Sequence, residues 1–269
     1  MKAIRYASAC IMMALAACSG SKSTTDKAQE AASINVLSYN IHHANPPSSK
    51  DKIDIPAIAK VINDVKPDVV ALQEVDVHTG RSGKSLHEAE ELARLSGMKS
   101  FFAKGIDYGG GEYGIAILSR YPILETKRYP LTTVAGTNGE PRVLATALLQ
   151  LPGGRKIIMA CTHLDAQRGD TNRSVQIKEL TEILSKQPYP VIVAGDLNAP
   201  EGSSVINTLD ERFQRSCKNC AFTIPVENPR RCIDFIAFTP GKFETASHTV
   251  IQEKYASDHL PVNAVLRFK

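Results

Sequence analysis

Polar side chains that can bind a cation or move a proton follow many of the apolar segments of this sequence. In VIVAGDLNAP, residues 191–200, an apolar run leads through a glycine to Asp196 and Asn198. Other segments of strand composition have polar residues at what we expect to be strand ends: Asn40 with His42, Glu74, His163, Asp234, and Asp258 with His259. Each of these residues alone has an ordinary alternative, such as a turn for Asp196 and Asn198, a surface charge for Glu74 or a hydrogen-bonded histidine for His259. So many at one kind of position indicate a shared site. Carboxylate and amide oxygens suit a hard divalent cation, and imidazoles suit proton transfer.

The segments that position these residues predict two similar strand–helix–strand units. Residues 34–43 and 67–76 have strand composition, and apolar residues recur at helical spacing from Ile55 to Val65 between them. Residues 155–165, 171–186 and 189–199 repeat this order of strand, helix and strand. In such units ligands bind at the carboxyl ends of the strands, where the polar residues lie.

The remaining sequence predicts further strands. Residues 141–150 are expected to form a hairpin with residues 155–165 across a Pro-Gly-Gly turn, and residues 230–238 and 260–268 have strand composition. No Pro/Gly-rich segment divides residues 34–269. We therefore predict one large mixed α/β domain over residues 34–269.

The N-terminal residues predict export and lipidation. Lys2 and Arg5 precede an apolar run that is too short to span a bilayer and has the form of a signal-peptide core. Its end, Leu-Ala-Ala-Cys18, resembles the bacterial lipobox, which implies a signal peptide over residues 1–17 and a lipid anchor on Cys18. Residues 18–33 are polar and small, as in a flexible tether. A plain signal peptide with a chance cysteine is the alternative.

These features predict an exported bacterial lipoprotein of the outer membrane, on its periplasmic side or at the cell surface. Without Lys2 and Arg5 the chain keeps 30 basic residues against 28 acidic ones, a formal charge of +2. No basic stripe is present, which argues against a dedicated nucleic-acid binder and does not exclude a nuclease.

The cysteines outside the N-terminal segment predict one disulfide. Cys161 lies in an apolar strand and is expected to be a buried thiol. An exported protein meets an oxidising compartment, so we expect one disulfide among Cys217, Cys220 and Cys232, with Cys232 joined to Cys217 or Cys220. The CKNC segment lacks the second ligand pair that a zinc site requires.

Seven ordered segments resemble the motifs of the endonuclease/exonuclease/phosphatase superfamily. They are SYNIHH, LQEVD, YGIAILSR, THLD, GDLNA, CIDFI and SDHLPV. The resemblance covers the chain from residue 34 to the C-terminus. The resemblance implies an α/β fold, a four-layer α/β sandwich in which two mixed β-sheets pack face to face with helices on the outer faces. It also implies a metal-dependent hydrolase of phosphate esters, and we expect a phosphodiesterase.

The resemblance implies a role for each site residue. Glu74 and Asn40 bind Mg²⁺ (or Mn²⁺), Asp196 orients or deprotonates the attacking water, and Asn198 holds a phosphoryl oxygen. His163 and His259 stabilise the negative charge that develops on the phosphate. Asp258 polarises one of these imidazoles, and Asp234 supports the other.

Three further residues are candidates for substrate contact, and the substrate stays open. His42 is two residues past Asn40 and is expected on the same face of the strand; Tyr113 and Arg142 lie near strand starts that line the family's cleft. Ile115 occupies a position where relatives often have Asn. Expected substrates are lipid headgroups, nucleotides or sugar phosphates. The alternatives are a nuclease acting on scavenged nucleic acid, a non-catalytic lipoprotein binding module that keeps the fold, and a hydrolase of a surface glycan ester.

Overall fold

The computed structural model describes Met1 and residues 32–49 and 51–269 of the 269-residue chain. Apart from Met1, the predicted signal peptide over residues 1–17 lies outside the described residues, as do Cys18 and the tether up to residue 31. Within the described residues, no helix has both the length and the apolarity to cross a membrane. The first strand begins at Ser33, beside the expected start of the domain.

Twelve strands and four α-helices form the described part of the chain. The strands are β1 (Ser33–Asn40), β2 (Val69–Val77), β3 (Lys99–Tyr108), β4 (Gly111–Ser119), β5 (Ile123–Leu131), β6 (Arg142–Gln150), β7 (Lys156–His163), β8 (Val191–Asp196), β9 (Gln214–Arg215), β10 (Asp234–Phe238), β11 (Phe243–Val250) and β12 (Val262–Phe268). The helices are α1 (Ile55–Val65), α2 (Glu88–Ser96), α3 (Thr171–Ser185) and α4 (Ser204–Asp210). Every strand and helix that we predicted is present, with small differences at the ends.

The strands form two six-stranded mixed sheets whose central strands are arranged alike. The first sheet has the order β11-β12-β1-β2-β4-β3, and the second has the order β5-β6-β7-β8-β10-β9. Each sheet contains one parallel pair, β1 with β2 and β7 with β8, between antiparallel neighbours. The connections through α1 and α3 make these pairs the two strand–helix–strand units that the sequence predicts.

Local sequence explains why α1 covers the first sheet. The Asp54 carboxylate accepts a hydrogen bond from the Ala57 backbone N–H at 3.1 Å and caps the helix. Ile58 and Ile62 lie one turn apart and are fully buried against Leu72 of β2. The helix ends at Val65, where Lys66 adopts a left-handed conformation.

Three separate cores establish the layers. Buried residues of both sheets, such as Val36 and Met159, form one core between the sheets. A second core lies between the first sheet and helices α1 and α2, and a third lies between the second sheet and helices α3 and α4. The fold is therefore the predicted four-layer α/β sandwich.

The disulfide is formed by a different pair of cysteines from the one we expected. Cys217 and Cys220 are bonded, with their Cα atoms 5.3 Å apart, so the prediction that Cys232 takes part is wrong. Cys232 is a free, buried thiol whose Sγ approaches the Asp234 carbonyl oxygen at 3.8 Å. The two bonded cysteines lie in one tight turn, in which Asn219 takes a positive φ of 54°. Cys161 is free and buried, as predicted.

Candidate active site

Three neighbouring strands of the second sheet place three of the predicted site residues side by side. His163 ends β7 and is the register partner of Asp196, which ends β8. Asp234 is in turn the register partner of Asp196 across the antiparallel pair with β10. Asp234 begins its strand rather than ending it. Because β10 runs antiparallel to β8, its first residue lies at the same edge of the sheet.

The first sheet contributes Asn40 and Glu74. Asn40 is the last residue of β1, as predicted, and is fully buried. We expected Glu74 to end its strand, but the structure places it within β2. The pairing with β4 shifts register between Gln73 and Val75, and Glu74 has a positive φ of 58°. This irregularity is a β-bulge, and it changes the direction of the Glu74 side chain from the one that regular alternation along the strand would give.

The Asp196 carboxylate is the centre of the site. Its Oδ2 lies 3.2 Å from Asn40 Nδ2, 3.5 Å from His163 Nε2 and 3.7 Å from His259 Nε2. Its Oδ1 accepts a hydrogen bond from the Asn198 backbone N–H at 2.8 Å. Burial, followed by the charge of Asp234, raises the pKa of Asp196 to about 7. A carboxyl with this pKa is poised to accept a proton near neutral pH.

Asn40 connects the two sheets at this point. Its Nδ2 donates to Glu74 Oε1 at 3.1 Å as well as to Asp196 Oδ2. Its Oδ1 accepts from the His42 backbone N–H at 3.1 Å, and an amide oxygen has a second lone pair. Glu74 is only partly buried. Its carboxylate and the Asn40 amide oxygen form an all-oxygen donor pair that fits Mg²⁺ or Mn²⁺.

The His163 ring is neutral at pH 7. Burial, together with the nearby Arg142 and His259, lowers the pKa of His163 well below its usual value. Arg142 Nη1 lies 3.3 Å from His163 Nδ1. Because a guanidinium nitrogen can only donate, Nδ1 accepts and the ring proton is on Nε2. Asn198 Nδ2, which donates to the Leu164 carbonyl oxygen at 3.0 Å, lies 3.0 Å from Nε2. With the ring proton on Nε2, two N–H donors face each other here, and both could donate to one phosphoryl oxygen.

His259 has the opposite charge state. Burial disfavours its charged form, but Asp234, Asp196 and Asp258 together outweigh burial and raise the pKa of His259 to about 10. His259 Nδ1 lies 3.0 Å from Asp234 Oδ2 and 3.2 Å from Oδ1. The ring is therefore an imidazolium at neutral pH, and its Nε2–H points toward Asp196.

The structure places Asp234, not Asp258, on the His259 ring. The Asp258 side chain accepts instead from the Ser257 hydroxyl at 3.4 Å, and its charge acts on His259 only at longer range. His163 is held by Arg142 and Asn198 rather than by a second carboxylate–imidazole hydrogen bond. The expectation that Asp258 and Asp234 each support one histidine therefore needs correction, since only Asp234 has this contact among the described residues.

Replacing Asp234 with asparagine is expected to lower the pKa of His259. The substitution removes the negative charge that favours the imidazolium, while the burial that disfavours the imidazolium remains. The His259 pKa should fall from about 10 toward or below that of an ordinary histidine, which a ring-proton NMR titration measures. Asp258→Asn is the control and should produce a smaller change. An unchanged His259 pKa in Asp234→Asn contradicts this assignment.

The other predicted substrate contacts border a cleft next to His163. The cleft is small, and its lining includes Tyr113, Ile115, Arg142 and His163. Arg142 is mostly buried and pairs with Glu140 Oε1 at 2.9 Å. Tyr113 and Arg142 therefore lie beside the site, as predicted.

Asp165 is a positioning residue that we did not predict. Its Oδ2 accepts from the Glu140 backbone N–H at 3.1 Å and so holds the segment that carries Arg142. The aspartate of the THLD segment was the available sequence signal for this residue. In the structure its side chain is almost fully buried.

His42 differs from its prediction and has a neighbour that we did not single out. The chain leaves β1 at Asn40, and residues 42–44 form a short turn with positive φ values, so His42 does not continue the strand's alternation. Its ring lies beside His43 and Glu74 instead. Burial, then Arg81 and His42, lowers the pKa of His43 to about 4. The doubled histidine in SYNIHH was the available signal for His43.

Proteins of similar sequence include one from Escherichia coli and one from Schizosaccharomyces pombe. The uncharacterized protein YbhP of Escherichia coli strain K12 is 29% identical over 247 residues, which cover 86% of this chain and 95% of YbhP. The inositol phosphosphingolipids phospholipase C of Schizosaccharomyces pombe is 27% identical over 192 residues, which cover 63% of this chain and 42% of that protein.

A solved structure and a family model support the same grouping. The crystal structure of an endonuclease/exonuclease/phosphatase from Beutenbergia cavernae is similar in fold, with a TM-score of 0.75 and 23% identity over 88% of this chain and 72% of that chain. The model of the Endonuclease/Exonuclease/phosphatase family matches residues 37–259, the range that holds every catalytic and metal-binding candidate described above. The chain belongs to the endonuclease/exonuclease/phosphatase family, whose members hydrolyse phosphate esters and generally depend on a divalent metal ion.

Proposed function

We propose that the protein is a metal-dependent phosphodiesterase in which Asp196 activates the attacking water. The observation that carries this proposal is that three side-chain nitrogens surround one oxygen of the Asp196 carboxylate. Nitrogens of Asn40, His163 and His259 lie 3.2–3.7 Å from Asp196 Oδ2. A carboxylate among imidazoles and amides can take a proton from water while the neighbouring N–H groups bind the phosphate.

In the proposed reaction, Asp196 accepts a proton as the water oxygen forms a bond to phosphorus. The bond from phosphorus to the leaving-group oxygen breaks on the opposite side, as in-line displacement requires. The His259 imidazolium and the neutral His163 Nε2–H donate to phosphoryl oxygens and stabilise the charge that develops on them. Asn198, held at a positive φ of 49°, presents its amide beside His163.

Glu74 and Asn40 are the residues that would hold Mg²⁺ or Mn²⁺. The ion, when bound, supplies Lewis-acid activation of the phosphate and stabilises the leaving group. Arg142 lies beside His163 Nδ1 and, after burial, favours the neutral ring. These residue roles go beyond the general hydrolysis of phosphate esters that family membership supports.

The substrate proposed here is a phosphodiester near a membrane. The S. pombe relative is named as a phospholipase C acting on inositol phosphosphingolipids, which supports a lipid headgroup as one substrate class. The proposed anchor at Cys18 would hold the domain close to lipids outside the cytoplasm. Incorporation of a radioactive fatty acid into the full chain, and its loss in Cys18→Ser, tests the anchor; equal labelling of both chains contradicts it.

Hydrolysis of a chromogenic phosphodiester tests the activity. The full chain should turn over bis(p-nitrophenyl) phosphate with Mg²⁺ or Mn²⁺, lose turnover in excess chelator, and act more slowly on the corresponding monoester. His259→Ala should lose turnover, whereas His248→Ala, on the outer strand β11, should keep it. Faster hydrolysis of the monoester favours a phosphatase. Absence of turnover with folded, metal-loaded protein on diester, nucleotide, sugar phosphate and phospholipid contradicts the proposal.

A further inference from the structure

Two histidine rings lie beside the Glu74 carboxylate, on the side of the site away from His163. One ring nitrogen of His42, one ring nitrogen of His43 and one oxygen of Glu74 all lie within 4.8 Å of one another. The ring centroids are 4.6 Å apart and the ring planes are inclined by 64°, so the rings are not stacked. Zinc binds such ligands at about 2.0–2.2 Å, so a small contraction brings all three ligand atoms onto one ion.

One ring nitrogen of His42 contacts the backbone. His42 Nδ1 lies 2.9 Å from the Asn45 carbonyl oxygen. A carbonyl can only accept, so the ring proton is on Nδ1 and the Nε2 lone pair is free. Histidines that bind metals commonly donate their other ring N–H to a carbonyl or carboxylate in this way. His42 therefore has both the tautomer and the fixed ring orientation of a metal ligand.

His43 carries a buried nitrogen that lacks a partner. Its Nδ1 is inaccessible to solvent and has no hydrogen-bond partner among the described residues. Buried polar atoms in proteins almost always have a partner, and an unassigned ion is one established explanation for an exception. Nothing in the proposed hydrolysis employs this nitrogen.

The backbone holds both rings in place at a conformational cost. His42, His43 and Ala44 have φ values of 48°, 41° and 53°, in the left-handed region that costs about 1–2 kcal/mol for each residue with a side chain. The Asn40 amide oxygen accepts from the His42 N–H at 3.1 Å, and the Asn45 N–H donates to the His42 carbonyl at 2.9 Å. At this cost, the turn places two adjacent imidazoles beside Glu74.

We propose that His42, His43 and Glu74 bind one first-row transition-metal ion of the Zn²⁺ type. Two imidazoles and one carboxylate, with further positions open, are the ligand set of many catalytic zinc sites, and imidazole nitrogens favour Zn²⁺ over the oxygen-seeking Mg²⁺. The site shares Glu74 with the all-oxygen pair described above. Its consequence for catalysis rests on the proposed function, whereas the binding of the ion does not.

Direct metal binding tests this inference without any measurement of turnover. The full chain, purified in detergent without a polyhistidine tag and stripped of metal, is titrated with Zn²⁺ and with Mg²⁺ in a calorimeter. One equivalent of Zn²⁺ should bind at least about 100-fold more tightly than Mg²⁺. Co²⁺ should give the visible absorption of a nitrogen-ligated site.

Asparagine substitutions identify the ligands without removing the turn. Asparagine tolerates the left-handed conformation, and in His42→Asn its amide can still donate to the Asn45 carbonyl while Nε2 is lost. His42→Asn and His43→Asn should each weaken Zn²⁺ binding at least about 10-fold, since loss of outer-shell partners alone costs about 10–100-fold. His78→Asn is the matched control, because His78 is exposed and also has a positive φ, of 55°.

Three outcomes overturn the inference. They are Zn²⁺ binding no tighter than Mg²⁺, Zn²⁺ binding unchanged in both asparagine variants, and an equal loss in His78→Asn. Retention of Zn²⁺ in both variants would place the ion at the second cluster of potential ligands, Asp196, Asp234 and His259. Tight Zn²⁺ binding that needs His42, in a chain without hydrolytic turnover, overturns the proposed function alone.

Discussion

Asp196→Asn is expected to lower kcat for phosphodiester hydrolysis about 10³-fold, within the range that general-base catalysis provides. Asparagine has nearly the same size, so the hydrogen bond from the Asn198 N–H can remain, but the amide cannot accept a proton from water. Because the substitution also removes a buried negative charge, the fold should be kept. Steady-state kinetics and far-UV circular dichroism together measure both expectations.

The control for this variant is another hydrogen-bonded aspartate at the opposite end of the same fold. Asp68 accepts from the Asn35 N–H at 2.8 Å and from the Tyr121 hydroxyl at 2.9 Å, just before β2 begins. Asp68→Asn should leave kcat within about threefold of the wild type, although its stability decreases slightly. An Asp196→Asn protein that keeps more than about a tenth of wild-type kcat would show that Asp196 is not the base.

Gly195→Ala is expected to destabilise the protein by about 3 kcal/mol, because the added methyl group overpacks the sheet. A Cβ atom on Gly195 would lie 2.0 Å from the Thr162 carbonyl oxygen and 2.9 Å from its carbonyl carbon. These are backbone atoms of the neighbouring strand β7, so the conflict is relieved only by moving the strands apart. Urea unfolding followed by circular dichroism measures the change.

Gly80→Ala is the matched control for this substitution. A Cβ atom there has only the Gly109 carbonyl oxygen near it, at 3.3 Å, and a small shift accommodates it. Its free energy of unfolding should stay within about 1 kcal/mol of the wild type. A loss below about 1 kcal/mol in Gly195→Ala would show that β7 and β8 tolerate separation. If Gly195→Ala folds, its kcat should still decrease, because Asp196 and His163 follow the two affected residues.

The sequence predicted the central strands and most site residues because both follow from burial. Strands β2 and β8 are covered on both faces, so they appear as continuous apolar runs that end near polar residues. Among the strands that we did not predict, the edge strands β5 and β11 are different: β5 is largely exposed, and β11 carries polar residues such as His248 along much of its length. Edge strands of this kind lack an apolar pattern, since few of their side chains enter a core.

Contacts between distant parts of the chain explain the remaining differences. Asp234 contacts His259, which lies in the loop before β12, across 25 residues of sequence. The local spacing of residues in the sequence does not predict this contact. Glu74 reaches the site through a bulge, and the His42–His43 turn depends on a hydrogen bond from its backbone to Asn40. The three cysteines illustrate the same point, because their pairing depends on which of them shares a turn.

The site residues come from both sheets, so the proposed enzyme activity should report on unfolding of the whole domain. Asn40 on the first sheet donates to Asp196 on the second, and both residues end strands whose side chains form the core between the sheets. A partly unfolded molecule that separates the sheets therefore has no assembled catalytic group. In a denaturant series, turnover and far-UV ellipticity should decline with one midpoint, unlike in enzymes whose catalytic loops unfold before the rest of the protein.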